Sequence, residues 1–178
     1  MKTTGIVRRI DSLGRIVIPK EMRNSLRIME NDMLEIGLQN ESIVLKKIST
    51  FSDSLNYFEE ILKLVNKLYD CDVFITDSST IYSYEGKNKE KYVGKNMSEY
   101  LINCLKNRNI ISENMPSILH ITDDKDNLPL NCNYLLIPII DSGDVYGILG
   151  FLNYDNLDNI MNIGKIIEKT LKLKISNI

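Results

Sequence analysis

Residues 5–23, GIVRRIDSLGRIVIPKEMR, set β-branched apolar residues beside guanidinium groups in a segment too small to hide the first or spread out the second. Thr4–Ile10 reads as a strand, Asp11-Ser-Leu-Gly14 as a turn and Arg15–Ile18 as a second strand. Pro19 closes that strand and opens a short helix, Lys20–Leu26. Met33–Leu38 and Ser42–Lys46 follow as strands around the turn Gln39-Asn-Glu41. The result is a β-β-α-β-β unit of about fifty residues, a size that buries too little surface for comfortable stability. Two copies sharing one core, with their hairpins interleaved, are the economical solution. Alternation in the first strand is imperfect, because Arg8 shares a side with Ile6 and Ile10. A bulge, a twist or an end effect has to turn its head outward.

Charge separates this segment from the rest of the chain. Residues 1–27 carry seven basic side chains against two acidic ones, whereas the remainder carries 15 basic and 22 acidic. Five of the six arginines precede residue 28, while sixteen lysines supply cations throughout the chain. A solvated positive face explains the charge but not the choice of arginine. A planar guanidinium gives bidentate bonds to phosphates and guanine edges that an ammonium does not. A two-fold dimer brings both basic hairpins to one face, matching the symmetry of duplex DNA. Phosphate and base-edge contacts are therefore expected from that face.

Residues 1–47, with GIVRRIDSLGRIVIPKEMR, Leu26-Arg-Ile28 and Asp32-Met-Leu-Glu-Ile36, resemble the DNA-binding domain of AbrB-type transition-state regulators. The resemblance implies a swapped-hairpin β-barrel dimer that binds double-stranded DNA through Arg8, Arg15 and Arg23. Arg9 stands where a basic residue is usual, and Lys20 adds a cation at the helix start. Asn24 stands where the resemblance implies a further arginine.

Residues 49–54 read as a polar linker between residues 1–48 and a second domain, 55–178. There, Leu55, Phe58, Ile61, Leu62, Val65 and Leu68 fall at helical spacing, with Asp53 or Ser54 as cap. Strands are expected at Val73–Thr76 and Ile81–Tyr84, and a helix near Ser98–Lys106. Tyr134–Ile140 and Val145–Leu152 form a hairpin around Asp141-Ser-Gly-Asp144. A last amphipathic helix carries Leu157, Ile160, Ile163, Ile167 and Leu171. This α+β pattern, and LLIPIIDSGDVYGILGFLN in particular, resembles a GAF domain. An AbrB-type head before a GAF-like tail resembles the stage V sporulation protein T family. That resemblance implies a regulator of late sporulation genes, a homodimer through the amino-terminal domain and a homotetramer through the GAF-like parts.

No catalytic constellation is found, so no enzyme activity, cofactor or metal is expected. Cys71, Cys104 and Cys132 lack CxxC spacing and read as small buried hydrophobes. Gly143, Gly147 and Gly150 lack the strand-to-helix setting of a phosphate loop and read as close backbone packing. His120 has no ligand pattern around it, and Asp123-Asp124-Lys-Asp126 lacks an EF-hand's spacing. A GAF-type pocket is expected between the sheet and residues 85–130, its small-molecule effector unidentified. No apolar run approaches the ~20 residues that span a bilayer, and MKTTGIVRR lacks a long apolar run, so a cytoplasmic location is expected. The same barrel could instead act as a protein-assembly or antitoxin-like module.

Overall fold

Apolar residues spaced three and four apart become helices and unbroken β-branched runs become strands along most of the chain. The computed structural model describes residues 5–28, 32–48, 55–124 and 127–175. Its elements are α1 (Lys20–Ser25), β1 (Leu34–Gln39), β2 (Ser42–Lys47), α2 (Leu55–Tyr69), β3 (Asp72–Thr76) and β4 (Ile81–Glu85). They continue with α3 (Lys89–Tyr92), α4 (Glu99–Asn107), β5 (Ile111–Leu119), β6 (Leu130–Asp141), β7 (Asp144–Leu152) and α5 (Leu157–Ile175). The chain divides into two compact units, Met1–Asp32 and Met33–Ile178.

In the first unit, α1 is the only element among the described residues. The strands expected at 4–10 and 15–18 are not formed there; Thr4 itself lies outside the described residues. A strand needs a ladder partner. One backbone bond from Asp11 N to Arg15 O joins the two arms at the turn, at 3.0 Å. Beyond it Val7 stays 86% exposed and Val17 74% exposed.

The second unit begins with the β1–β2 hairpin, paired from Leu34 opposite Lys47 to Gln39 opposite Ser42. Asn40 and Glu41 both have positive φ, 47° and 62°, the two-residue turn whose twist suits a hairpin. Residues 49–54, the expected linker, and the expected caps Asp53 and Ser54 lie outside the described residues.

The rest of this unit is a five-stranded antiparallel sheet in the order β4-β3-β7-β6-β5. Its central strands are apolar on both faces because both faces are covered. Leu135, Ile137 and Ile139 of β6 meet Phe58, Leu62 and Val65 of α2 and Ile160, Ile167 and Leu171 of α5. Tyr134 and Leu136, pointing the other way, meet Leu101, Cys104 and Leu105 of α4. Gly147 and Gly150 permit close approach. A Cβ on Gly147 would lie 1.8 Å from the Thr76 carbonyl oxygen, and one on Gly150 would lie 2.2 Å from the Phe74 ring.

Two elements were not expected. Residues 111–119, ISENMPSIL, form the edge strand β5 although they read as a polar connection, and α3 adds one short helical turn. β6 also starts at Leu130 rather than Tyr134, because β5 supplies a partner as far as Leu130. Pro116 is tolerated because it sits on an edge strand, within an interruption of the ladder between Glu113 and Ser117.

Candidate nucleic-acid interface

Asp11 builds the basic tip. An aspartate at the first position of a turn can accept hydrogen bonds from the amides that follow. Here Asp11 Oδ1 accepts from Leu13 N at 2.9 Å and Arg15 N at 2.8 Å. Oδ2 takes Arg15 Nε at 2.7 Å, and Gly14 N donates to Asp11 O at 3.0 Å. The Arg15 backbone N–H, followed by its side chain, holds the Asp11 carboxyl below its ordinary 3.8. Both side chains of the pair are well exposed, at 73% and 41%, so the ion pair orients Arg15 more than it stabilises the fold. A guanidinium held by Nε still offers the fork of its two Nη nitrogens.

The second group of cations sits on α1. Pro19, buried, is its N-cap residue with φ −56°. Its end is closed by Ile28 N on Arg23 O at 2.8 Å and Arg27 N on Asn24 O at 3.2 Å, with Arg27 at φ 51°. This is the Schellman arrangement, with an arginine where glycine is usual. Lys20 and Arg23, three apart, are neighbours on the helix surface, and both are exposed. Arg8 and Arg9 are exposed on the arm before the turn, where Arg8 Nη1 donates to Val7 O at 3.3 Å. All five expected site residues are therefore solvent-facing. The contacts bring Arg15 to the Asp11 turn and set Lys20 and Arg23 on one helix, without joining the two groups directly. The grip of Asp11 on the turn was missed in the sequence, although Asp and Gly at its first and fourth positions signal it.

The apolar residues of the amino-terminal stretch have little cover. Within the described part of residues 5–48, Pro19 alone is buried. Ile10 is 66% exposed, Leu13 73%, Ile36 73% and Leu38 87%.

In the second unit, a cavity of about 520 Å³ opens at the start of α4, lined by Ser98, Tyr100, His120, Thr122 and Asn127 among others. It falls inside the 85–130 region. Ser98 caps α4, its Oγ accepting from Leu101 N at 3.2 Å. His120 is exposed, whereas all three cysteines are buried and unpaired by disulfides. Burial pushes the Cys71 thiol up to about 12 and the Cys132 thiol up to about 11. Among the described residues no three His, Cys, Asp or Glu side chains cluster to hold a metal ion. No described helix is long and apolar enough to cross a membrane.

Residues 54–172 match the family described as stage V sporulation protein T C-terminal, transcription factor. Residues 7–53 match the family described as antidote-toxin recognition MazE, bacterial antitoxin. Stage V sporulation protein T of Bacillus subtilis (strain 168) is 37% identical over 151 residues, 83% of this chain and 82% of that protein. Transition state regulatory protein AbrB of the same organism is 60% identical over 47 residues, 26% of this chain and 49% of that protein.

Proposed function

The chain belongs to the stage V sporulation protein T family of transcription factors, and from that membership we propose that it regulates transcription by binding duplex DNA through paired amino-terminal domains. Two copies interleave the segments 5–18 and 33–48 into a swapped-hairpin barrel. Arg8, Arg9, Arg15, Lys20 and Arg23 from both copies face the DNA. Few of these heads reach base edges, so much of the selectivity comes from DNA shape and deformability. The target genes are those of late sporulation.

One observation carries this reading. Five exposed cations share a segment whose apolar side chains, Val7 and Leu38 among them, lie open in the single chain. Isolated exposed apolar residues are ordinary, but so many within one short stretch of sequence point to an interface. The chain divides as 1–48, 49–54 and 55–178; the change from one family match to the other at residues 53 and 54 supports two domains.

The carboxy-terminal domain is GAF-like and joins dimers into a tetramer. Leu64 (57% exposed) and Leu68 (75%) on α2, with Ile166 (60%) and Leu173 (68%) on α5, support that role. The cavity at α4 is the place for a small-molecule effector.

The test uses duplex enriched from a random pool by the wild-type protein. Arg15→Ala or Arg23→Ala is expected to remove most of the affinity in gel shift while leaving the thermal transition in place. Wild-type affinity in both variants would defeat the assignment. The match to the MazE family favours a second reading, an antitoxin-like assembly module. A chain that dimerises but enriches no duplex would establish that alternative.

A further inference from the structure

β2 ends on a lysine that reaches into the sheet domain. Ile48 N donates to Met33 O at 3.0 Å, tying the open end of the β1–β2 hairpin together. From that end Lys47 Nζ donates to Ser79 Oγ at 3.0 Å, across 32 residues of sequence. Lys47 is half-buried, which is uncommon for a lysine without a dedicated partner.

Ser79 sits in a loop built to hold it. Asp77 Oδ1 accepts from Ser79 N and Thr80 N, both at 2.7 Å, and from Ser79 Oγ at 3.4 Å. Asp77 is 9% exposed and Ser79 is 4% exposed. Thr76 Oγ1 accepts from Ile148 N at 2.9 Å, fixing the start of the loop to β7. The carboxylate behind the serine polarises the hydroxyl that receives the ammonium, so the contact is charge-assisted on both sides.

The same loop is bonded to the cavity wall. Met97 N donates to Ser79 O at 2.8 Å. The next residue, Ser98, caps α4 and lines the cavity, and its backbone N donates to Ile121 O at 2.9 Å. Thr80 bridges Asn96, and Met97 bridges Thr122, which also lines the cavity. A continuous set of hydrogen bonds therefore runs from the cavity wall to the last strand of the amino-terminal domain.

We propose that Lys47 on Ser79 is the joint through which the carboxy-terminal domain governs the DNA-binding head. A change at the start of α4 shifts the 96–98 segment, the Asp77–Thr80 loop follows, and Lys47 carries the shift into the β1–β2 hairpin. This inference rests on the DNA-binding reading above. Lys47 acts as a positioning residue and is not among the cations assigned to DNA.

The test compares the full-length wild type with Lys47→Met, Lys47→Arg, Ser79→Ala and the Lys47→Met/Ser79→Ala pair. Each is read by hydrogen exchange and by affinity for the enriched duplex. Lys47→Met is expected to speed exchange at the Ser79, Thr80 and Met97 amides about fivefold, the net worth of one such hydrogen bond. Amides of β6 should not change, and Lys47→Arg should restore the slow rates. Ser79→Ala already removes the Lys47 contact, so adding Lys47→Met in the pair should change exchange by less than Lys47→Met does alone. Duplex affinity should move in the same direction in both single variants, and in the pair by less than the sum of the two. Additive effects, or unchanged exchange at these three amides, would overturn the joint. Failure of the wild type to enrich any duplex would instead refute the DNA-binding reading, and the exchange cycle would still decide the contact.

Discussion

Lys20→Gln tests the paired head through a number. Lys20 opens α1, is exposed and makes no ion pair among the described residues, so its ammonium is available to a phosphate. Neutralising a phosphate releases condensed counterions, and log K falls against log salt with a slope of about −0.9 per contact. A head built from two copies presents Lys20 twice. Its loss therefore makes the slope shallower by about 1.8, whereas a single-copy head changes by about 0.9. Between 50 and 200 mM potassium chloride, a change of about 1.8 means the variant loses roughly twelvefold less affinity than wild type does. Fluorescence anisotropy with the enriched duplex at several salt concentrations measures this. Lys174→Gln serves as the control, since that ammonium sits over the Tyr57 ring at 5.1 Å in the carboxy-terminal domain. Its slope should equal that of wild type. A change near 0.9 for Lys20→Gln would refute the two-copy head, and no change would refute the phosphate contact.

Gly147→Ala places a Cβ against the Thr76 carbonyl; overpacking of this kind costs about 1–3 kcal/mol or more, and calorimetry should show a transition lowered by roughly 3–10 °C. Asp11 has its folded-state pKa below the ordinary 3.8, so its grip on the turn is present above that value and is lost as pH falls through the lowered one. Amide shifts of Leu13 and Arg15 in an NMR titration should therefore have a midpoint below 3.8, and a midpoint at or above it would contradict the contacts at Asp11. Cys71, buried and pushed up to about 12, should resist a thiol reagent at pH 8 until denaturant is added; immediate labelling of three thiols would contradict the burial.

Legibility in the sequence followed the range of the interactions. The β6–β7 hairpin was readable because two apolar runs flank a turn, and both partners lie within a few residues of it. Helices α2, α4 and α5 were readable from apolar spacing along a single element. β5 was not, because Ser112–Ser117 is mostly polar and becomes a strand only when β6 offers its edge. The first two expected strands failed for the complementary reason: their residues have strand character, but the single chain supplies no ladder partner for them.

At the candidate interface, the sequence by itself determined which cations are present, that arginine was chosen there over lysine, and that the apolar residues between them exceed what one short segment can bury. Those properties reside in residue types and their local order. The tertiary structure alone decided that Asp11 holds Arg15 by Nε, that Arg27 closes α1 in a left-handed conformation, and that Lys47 meets Ser79. Contacts of this kind depend on where a folded backbone places two atoms, to within a few tenths of an ångström. Spacing along the chain carries no record of that distance.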